Sequence, residues 1–229
     1  YLEMGQFNSP ESMNIFVGAP PGYVGYGEGK LTNGLRDKPR SVVLFDEVEK
    51  AHARVLDALL RFLDEGKIDD PAGSVRDGSG CILVLTSNVG ADELGSLWRK
   101  YADSNNQRTK IRKELREMFK KHNFRVEFLN RVDEVLLFHT LDTEDYIEIA
   151  RRRIADLLVM LKKERNVDVI TDDTVAQTIG HYCAAVGEGA RAVPRLMRAS
   201  VLLPVSRFLL THPCTPPVRL RVSATLDNS

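Results

Sequence analysis

The sequence predicts an α/β protein in two parts: a parallel sheet flanked by helices over residues 1–140, then a small α+β domain over residues 141–229. Two apolar runs, Ser41 to Phe45 and Cys81 to Thr86, are short, β-branched and bounded by charge or glycine, as buried parallel strands are. Between them, Val55 to Leu63 repeats apolar residues at helical spacing. This strand, helix, strand order indicates a βαβ unit, so we expect both runs to be central strands.

The residues before the first run predict a helix and a loop. Ser9 is suited to an N-cap and Pro10 to a first turn, so a helix is expected from about Pro10 toward Val17. It should end before Pro20 and Pro21. The segment Gly22 to Gly29 holds four glycines in eight residues, and their backbone entropy disfavours a helix or a strand. An exposed loop is therefore expected there.

The remaining elements follow from the same patterns. Lys67 to Gly80 is polar and predicts a loop, Ile111 to Phe119 predicts a helix, and Leu136 to Phe138 predicts a strand. Leu141 to Thr143 marks the hinge to the second domain, with Asp142 or Thr143 as N-cap. That domain should contain helix, strand, helix, helix and strand in the order Thr143 to Glu164, Val167 to Ile170, Asp172 to Ala185, Ala190 to Leu210 and Val218 to Val222.

Composition argues against several classes of partner. The 32 basic residues balance 32 acidic ones, so no net field draws the chain to nucleic acid or to an anionic membrane. No run approaches the roughly 20 apolar residues of a membrane span. The three cysteines lack metal-ligand or redox spacing, which favours a reducing compartment, the cytoplasm or the mitochondrial matrix, with Cys81 in the core. The histidines also lack ligand spacing, so the expected metal is Mg²⁺ bound with nucleotide.

Two adjacent carboxylates, Asp46 and Glu47, end the first apolar strand. In phosphoryl-transfer sites the first acid holds Mg²⁺, usually through water, and its neighbour orients the attacking water. Asn88 follows the second run, at the sheet edge where α/β proteins bind ligands, and could contact a γ-phosphate or that water. Taken alone, the acids also fit surface acids after a buried strand, and Asn88 also fits a turn.

Five segments together resemble, in order, the second ATPase domain of the ClpB-type AAA+ disaggregases. They are Gly18 to Tyr26, Leu44 to His52, Thr86 to Gly90, Phe128 to Glu134 and Gly189 to Arg191. The resemblance spans nearly the whole chain. It implies the large subdomain of an AAA+ P-loop NTPase and a small C-terminal subdomain. It also implies ATP and Mg²⁺ as cofactors, a homo-hexameric parent protein, and a stress-response chaperone that threads unfolded or aggregated proteins through a ring pore.

The resemblance also implies roles for matched residues. Asp46 and Glu47 correspond to the Walker B acids, with Asp46 holding Mg²⁺, and Asn88 corresponds to sensor 1. Arg131 corresponds to a finger that reaches a neighbour's ATP, and Arg191 to sensor 2. A guanidinium suits both tasks because its fixed donors match spreading phosphate charge. Without the resemblance, Arg131 also fits a surface ion pair with the acids that follow it.

A pore loop is the role that the resemblance implies for Gly22, Tyr23, Val24 and Gly25. A tyrosine flanked by glycines can swing while offering a large amphipathic face to a passing chain, and Val24 widens that apolar grip. Lys67 to Gly80 corresponds by position to a second pore loop. The alternative is a loop tyrosine folded back on the core.

The chain departs from this family at the phosphate loop. The motif G-x-x-x-x-G-K-[ST] cradles phosphates with backbone amides, and the nearest match lies around Lys30. It fails because Val24 stands at the first glycine position and Leu31 where the hydroxyl belongs. The loop is therefore expected before Tyr1, which predicts ATP hydrolysis for the parent protein and leaves it open for this chain alone. Val126 replaces a family proline, and Pro194 is acceptable only in the first turn of its helix.

Two other functions stay open. One is an unfoldase that feeds a peptidase, although such relatives carry an Ile-Gly-Phe or Ile-Gly-Leu tripeptide between sensor 1 and the finger, and Ala91 to Asn123 has none. The other is a nonhydrolytic interaction or assembly module, which the missing phosphate loop suggests.

Overall fold

A computed structural model of the chain describes residues 1–22, 29–71, 73–91, 93, 107–122, 124–138, 140–212 and 217–224, with the backbone alone at 107 and 108. The chain divides into two compact units, residues 1–139 and 140–229. Each unit has its own cluster of buried apolar side chains. The fold class expected from the sequence is confirmed: a parallel sheet with helices, then a smaller unit of helices and two strands.

The first unit contains ten α-helices and β-strands within the described residues. In chain order they are β1 (Leu2–Glu3), α1 (Met13–Val17), α2 (Lys30–Asp37), β2 (Val42–Asp46), α3 (Ala53–Glu65), β3 (Lys67–Asp70), β4 (Ser74–Asp77), β5 (Ile82–Leu85), α4 (Gln107–Lys121) and α5 (Glu127–Arg131). A 3₁₀ turn over Pro10–Ser12 leads into α1, so the helix expected from Pro10 begins as 3₁₀. Helix α2 was not expected, because its polar residues and central Gly34 hide its apolar face.

The sheet has the order β1-β2-β5 and all its pairs are parallel. Phe45 at its centre is fully buried, whereas Val42, Ile82 and Val84 on the opposite face are 63%, 66% and 41% exposed. Among the described residues β5 pairs with β2 alone, so the expectation of a central strand is confirmed for β2, and β5 lies at the edge of the sheet that these residues form. Leu136 to Phe138 forms no strand, because none of the described strands lies beside it to supply hydrogen bonds.

Helix α3 connects β2 to the hairpin that precedes β5. Its apolar face is buried, with Val55 and Leu59 fully inaccessible, as the helical spacing predicts. The ring of His52 caps its first turn by accepting a hydrogen bond from the Arg54 N–H (3.2 Å). Gly66 ends the helix with φ 66°, a left-handed conformation that favours glycine. The expected C-terminal stop is therefore confirmed.

The segment Lys67 to Gly80 is not the simple loop that was expected. Strands β3 and β4 pair antiparallel within it. The Asp70 carboxylate is 6% exposed and accepts hydrogen bonds from Arg76 Nε (3.2 Å) and Nη2 (2.7 Å). A buried charge requires such a partner, and this partner comes from the other strand. Strands usually alternate apolar and polar residues, but here the inward-facing positions include the charged pair Asp70 and Arg76. The polar sequence therefore does not predict the hairpin.

The second unit contains α6 (Thr143–Arg165), β6 (Val167–Thr171), α7 (Asp173–Val186), α8 (Ala192–Met197), α9 (Leu203–Thr211) and β7 (Val218–Val222). Strands β6 and β7 pair in parallel. Asp142 is the N-cap of α6 and forms a capping box with Asp145. The single helix expected over Ala190 to Leu210 is present as a continuous helical segment from Ala192 to Thr211, in which one π turn, Arg198–Leu202, interrupts the α-helical hydrogen bonding between α8 and α9.

Proline explains that interruption. Pro204 lacks an N–H and its ring crowds the carbonyl four residues earlier, so regular α-helical hydrogen bonding fails just before it. Pro194 lies in the first turn of α8, the position in which the helix tolerates it. None of the helices in the described part of the chain is long and apolar enough to cross a membrane.

Candidate functional site

The parallel register of β2 and β5 brings two loops to one edge of the sheet. Phe45 lies opposite Leu85, so the residues that follow both strands leave the sheet side by side. The Thr86 N–H donates to the Phe45 carbonyl (2.9 Å), and the Val48 N–H donates to the Thr86 carbonyl (3.0 Å). The loops are therefore locked together at the carboxyl ends of the strands, where α/β proteins bind ligands.

The Thr86 hydroxyl joins the two acids of this edge. Its Oγ1 donates to Asp46 Oδ1 (2.5 Å) and accepts from the Glu47 N–H (2.9 Å). The Tyr1 hydroxyl donates to Asp46 Oδ2 (2.9 Å), and this bond to a carboxylate raises the pKa of Tyr1. Each carboxylate oxygen can accept two hydrogen bonds. Asp46 is thus fixed in orientation at the end of β2.

Glu47 has a left-handed backbone, with φ 56° and ψ 57°, which costs a non-glycine residue about 1–3 kcal/mol. Its side chain is held at both oxygens. Asn88 Nδ2 donates to Oε1 (3.1 Å) and Lys50 Nζ to Oε2 (2.6 Å). The Lys50 pKa is raised because its ammonium hydrogen-bonds the Glu47 carboxylate. The structure thus brings Asp46, Glu47 and Asn88 together, as the sequence indicates.

Sequence reasoning missed three residues of this edge. Thr86 bridges the acids, Lys50 holds Glu47, and Glu49 Oε1 accepts a hydrogen bond from the Asn88 N–H (3.0 Å). The other oxygen of Glu49 is buried and lacks a hydrogen-bond partner within the part of the chain described. Glu49 is the third acid within the four residues 46–49, and this cluster of acids at a strand end is the pattern that could have identified it.

Arg131 and Arg191, the two arginines with expected roles at a nucleotide, lie in different units of the chain. Arg131 ends α5, where its Nε lies 2.7 Å from Asp64 Oδ1 of α3 and its Nη1 donates to the Glu127 carbonyl (3.2 Å). Its side chain is 28% exposed. Arg191 precedes α8 in the second unit and is exposed. The described contacts of Arg131 are therefore with its own chain, away from Asp46 and Glu47.

The expected pore loop is described only at its ends. Tyr23, Val24 and Gly25 lie outside the described residues, and Gly22 has φ 89°, a conformation that favours glycine. Beyond the loop, Gly29 packs directly against the Val17 carbonyl, to which the buried Thr32 hydroxyl donates (3.0 Å). Close packing between α1 and the start of α2 therefore joins the two ends of the segment.

A magnesium ion held with nucleotide fits this edge. Within the described ranges, no group of three or more His, Cys, Asp or Glu side chains could hold a metal ion. Mg²⁺ binds through one or two carboxylates together with phosphate oxygens and water. Asp46, fixed by Thr86 at the end of a strand, can supply such a carboxylate.

Comparison with known proteins gives two family matches. A model of the AAA domain (Cdc48 subfamily) matches residues 1–135, and a model of the C-terminal, D2-small domain of ClpB protein matches residues 141–222. The chain is 38% identical over 214 residues to chaperone protein ClpB of Bacteroides thetaiotaomicron. The aligned stretch covers 92% of this chain and 25% of that protein.

A second relative is equally similar. The ATP-dependent Clp protease ATP-binding subunit ClpC of Staphylococcus aureus is 37% identical over 216 residues, covering 91% of this chain and 26% of that protein. The chain thus spans about a quarter of the length of the curated relatives it matches.

Proposed function

The chain belongs to the AAA domain family, and from that premise we propose that it is part of an ATP-driven unfoldase that threads unfolded or aggregated proteins through a ring pore. Residues 1–140 would form the large subdomain and residues 141–229 the small one. Its relatives include a protein named as a chaperone and one named as the ATP-binding subunit of a protease. Both names fit a machine that acts on other proteins.

The observation that carries the proposal is the geometry of Asp46, Glu47 and Asn88 at one sheet edge. Asp46 would hold Mg²⁺ bound with ATP, and the ion would supply positive charge to the phosphates. Glu47, fixed by Asn88 and Lys50, would orient the attacking water and accept its proton. The Asn88 amide donates to Glu47 and so sets the direction of that carboxylate.

The phosphate loop would come from residues that precede Tyr1 in the full-length protein. The 229 residues contain no G-x-x-x-x-G-K-[ST] motif. Support comes from the sheet, where β5 pairs with β2 alone in the described residues and both Ile82 and Val84 are exposed. A further parallel strand would pair with the open edge of β5 and bring its own carboxyl end to the same sheet edge as Asp46, and a helix that follows it would cover the exposed face.

Arg131 and Arg191 would complete the site in a homo-hexamer. We assign Arg131 as the finger that stabilises phosphate charge in a neighbouring subunit, and Arg191 as the sensor 2 arginine. Fingers supplied in trans contribute about 10³ to 10⁵ in rate in GTPases. Arg131 forms an ion pair with Asp64 of its own subunit. When the hexamer assembles, the guanidinium would leave Asp64 and bind a phosphate in the neighbouring subunit.

Tyr23 of the glycine-rich loop would grip the threaded chain. The test is Tyr23→Ala in the full-length protein, with Tyr182→Ala, a 53% exposed tyrosine of α7, as the matched control. We expect Tyr23→Ala to abolish rescue of aggregated protein and to leave ATP hydrolysis unchanged, since the loop does not hold nucleotide. Rescue at the unmodified rate would contradict threading by this loop.

A second candidate is an unfoldase that delivers its substrate to a peptidase. The chain is 37% identical to the ClpC relative, which favours delivery to a peptidase about as strongly as the ClpB relative favours the rescue of aggregated protein. Ala91 to Asn123 lacks the Ile-Gly-Phe or Ile-Gly-Leu tripeptide expected for docking. Degradation of a tagged substrate in the presence of a partner peptidase separates the two, because a disaggregase alone would release the substrate intact.

A nonhydrolytic assembly module is the third candidate, and it would apply if the full-length protein lacked the phosphate-loop motif that these 229 residues do not contain. Calorimetry of this chain with ATP and Mg²⁺ tests it. Weak or no binding is expected if the phosphate loop must come from upstream residues. Micromolar binding would show that the nucleotide site is complete without them.

A further inference from the structure

A very short helix carries Arg131. Helix α5 has five residues, and a helix of this length is not stable in water by itself. Phe128 and Leu129 anchor one side of α5 in the core, at 4% and 6% exposure. The carbonyls at its C-terminal end have no partner within the helix. Contacts from outside must therefore hold the backbone around Arg131.

Arg112 of α4 supplies those contacts. Its Nη1 donates to the Leu129 carbonyl (3.2 Å), and its Nη2 donates to the Val132 and Asp133 carbonyls (3.1 and 2.9 Å). One guanidinium thus joins peptide groups on both sides of Arg131. Arginine suits this task because its donors lie in a fixed plane, whereas the single nitrogen of lysine cannot span the same three acceptors.

Arg116, one turn further along α4, adds a contact from the same direction. Its Nη2 donates to Asn130 Oδ1 (2.8 Å). Neither Arg112 nor Arg116 lies in the five segments that carry the family resemblance. The side chain of Arg131 meets Asp64 of α3, so its backbone is fixed by α4 while its guanidinium pairs with another helix.

We infer that Arg112 is a positioning residue for Arg131, fixing the peptide groups around it so that its guanidinium extends from a rigid base. The inference rests on the proposed role of Arg131 as the finger. It also requires a guanidinium at position 112, since an apolar side chain of equal length would leave three carbonyls without their donor. A catalytic arginine that is displaced by about 1 Å can lose about 10²-fold in rate.

The test uses the full-length protein and five variants. Arg112→Met keeps an unbranched side chain, somewhat shorter than that of arginine, and removes its donors, and Lys113→Met places the same residue at the neighbouring exposed position of α4. Arg131→Ala removes the finger, and the fourth variant combines it with Arg112→Met. The measurements are kcat and KM for ATP, the oligomeric state, and hydrogen exchange of the Val132 amide, which donates to the Phe128 carbonyl.

The expected result is a kcat about tenfold lower or more for Arg112→Met, with KM, assembly and the Lys113→Met variant unchanged. Exchange of the Val132 amide should become about tenfold faster. In the Arg131→Ala background, Arg112→Met should cause no further loss, because it acts only through the finger. The fifth variant, Arg112→Lys, retains the charge and one donor nitrogen. Its kcat should lie between those of the unmodified protein and Arg112→Met, and it provides the comparison if Arg112→Met does not fold.

Different outcomes overturn different claims. Arg131→Ala at the unmodified rate would overturn the finger role, and this inference with it. If Arg131→Ala lowers kcat but Arg112→Met leaves it unchanged, the finger role of Arg131 stands and only the inference about Arg112 is overturned. An equal loss from Arg112→Met in both backgrounds would also overturn it, since that would show an effect independent of Arg131.

Discussion

Replacement of Gly29 by alanine should destabilise the first unit strongly. An ideal Cβ at Gly29 would lie 2.2 Å from the Val17 carbonyl carbon, 2.4 Å from its oxygen and 2.3 Å from Thr32 Oγ1. Two of these atoms belong to the backbone, so no side-chain rotation relieves the clash. The backbone of Gly29 itself is unstrained, with φ −65°. Lack of space alone therefore excludes a side chain.

The expected cost follows from two effects. Overfilling a packed site costs about 1–3 kcal/mol. Separating Thr32 from Val17 also breaks a buried hydrogen bond (3.0 Å), and a buried carbonyl left without its donor costs about 1–3 kcal/mol. The free energy of unfolding should fall by about 3–5 kcal/mol, which is a large part of the 5–15 kcal/mol typical of a whole domain.

Gly34→Ala provides the matched control. Gly34 lies inside the same helix, α2, and a Cβ there meets no atom within 4 Å. Alanine should stabilise the helix by about 0.5–1 kcal/mol. Urea unfolding of both variants checks the pair. A Gly29→Ala variant whose free energy of unfolding lies within about 1 kcal/mol of that of the unmodified protein would refute the packing between α1 and α2.

Substitutions at three other positions test the site and the second unit. Thr86→Val should lower ATP hydrolysis by the full-length protein about tenfold or more, since it removes the hydroxyl that joins Asp46 and Glu47, while Thr86→Ser should retain most activity. Asp142→Ala should lower the stability of the second unit by about 1 kcal/mol in urea unfolding, and Asp142→Asn by much less. Hydrogen bonding to Arg151 lowers the pKa of Asp173, so this pair stabilises the fold above the unfolded-state pKa and the effect is lost as pH falls. Any stability lost in Arg151→Met at pH 7 should therefore shrink as the pH falls below the unfolded-state pKa of aspartate, about 3.9, and a loss that does not change with pH would contradict the ion pair.

The β2–α3–β5 part of the first unit can be predicted because the sequence patterns that define it are local. The apolar run before Asp46 and the helical spacing from Val55 to Leu63 define β2 and α3, and the parallel pairing of β2 with β5 follows from the βαβ order. Once both strands are parallel, the residues after each must meet at one edge. The proximity of Asp46, Glu47 and Asn88 could therefore be predicted from sequence, and the structure agrees at 3.1 Å between Asn88 and Glu47.

What the sequence does not reveal depends on contacts between distant residues. The β3–β4 hairpin relies on the buried pair of Asp70 and Arg76, which a polar segment does not disclose. The bridging role of Thr86 depends on the left-handed backbone of Glu47, a local strain that tertiary contacts must maintain. The contacts of Arg112 likewise join α4 to carbonyls about 20 residues away, and periodicity assigns only its helix.

Substitution of Glu47 by glutamine in the full-length protein tests the central claim most directly. The substituted amide would keep the size of the side chain and an oxygen that can accept from Asn88, but it could not take a proton from water. Glu117→Gln, at an exposed position of α4, is the matched control. ATP should bind Glu47→Gln with unchanged affinity and be hydrolysed at least about 100-fold more slowly. Hydrolysis by Glu47→Gln at the rate of Glu117→Gln would contradict the assignment of this sheet edge as the site of ATP hydrolysis.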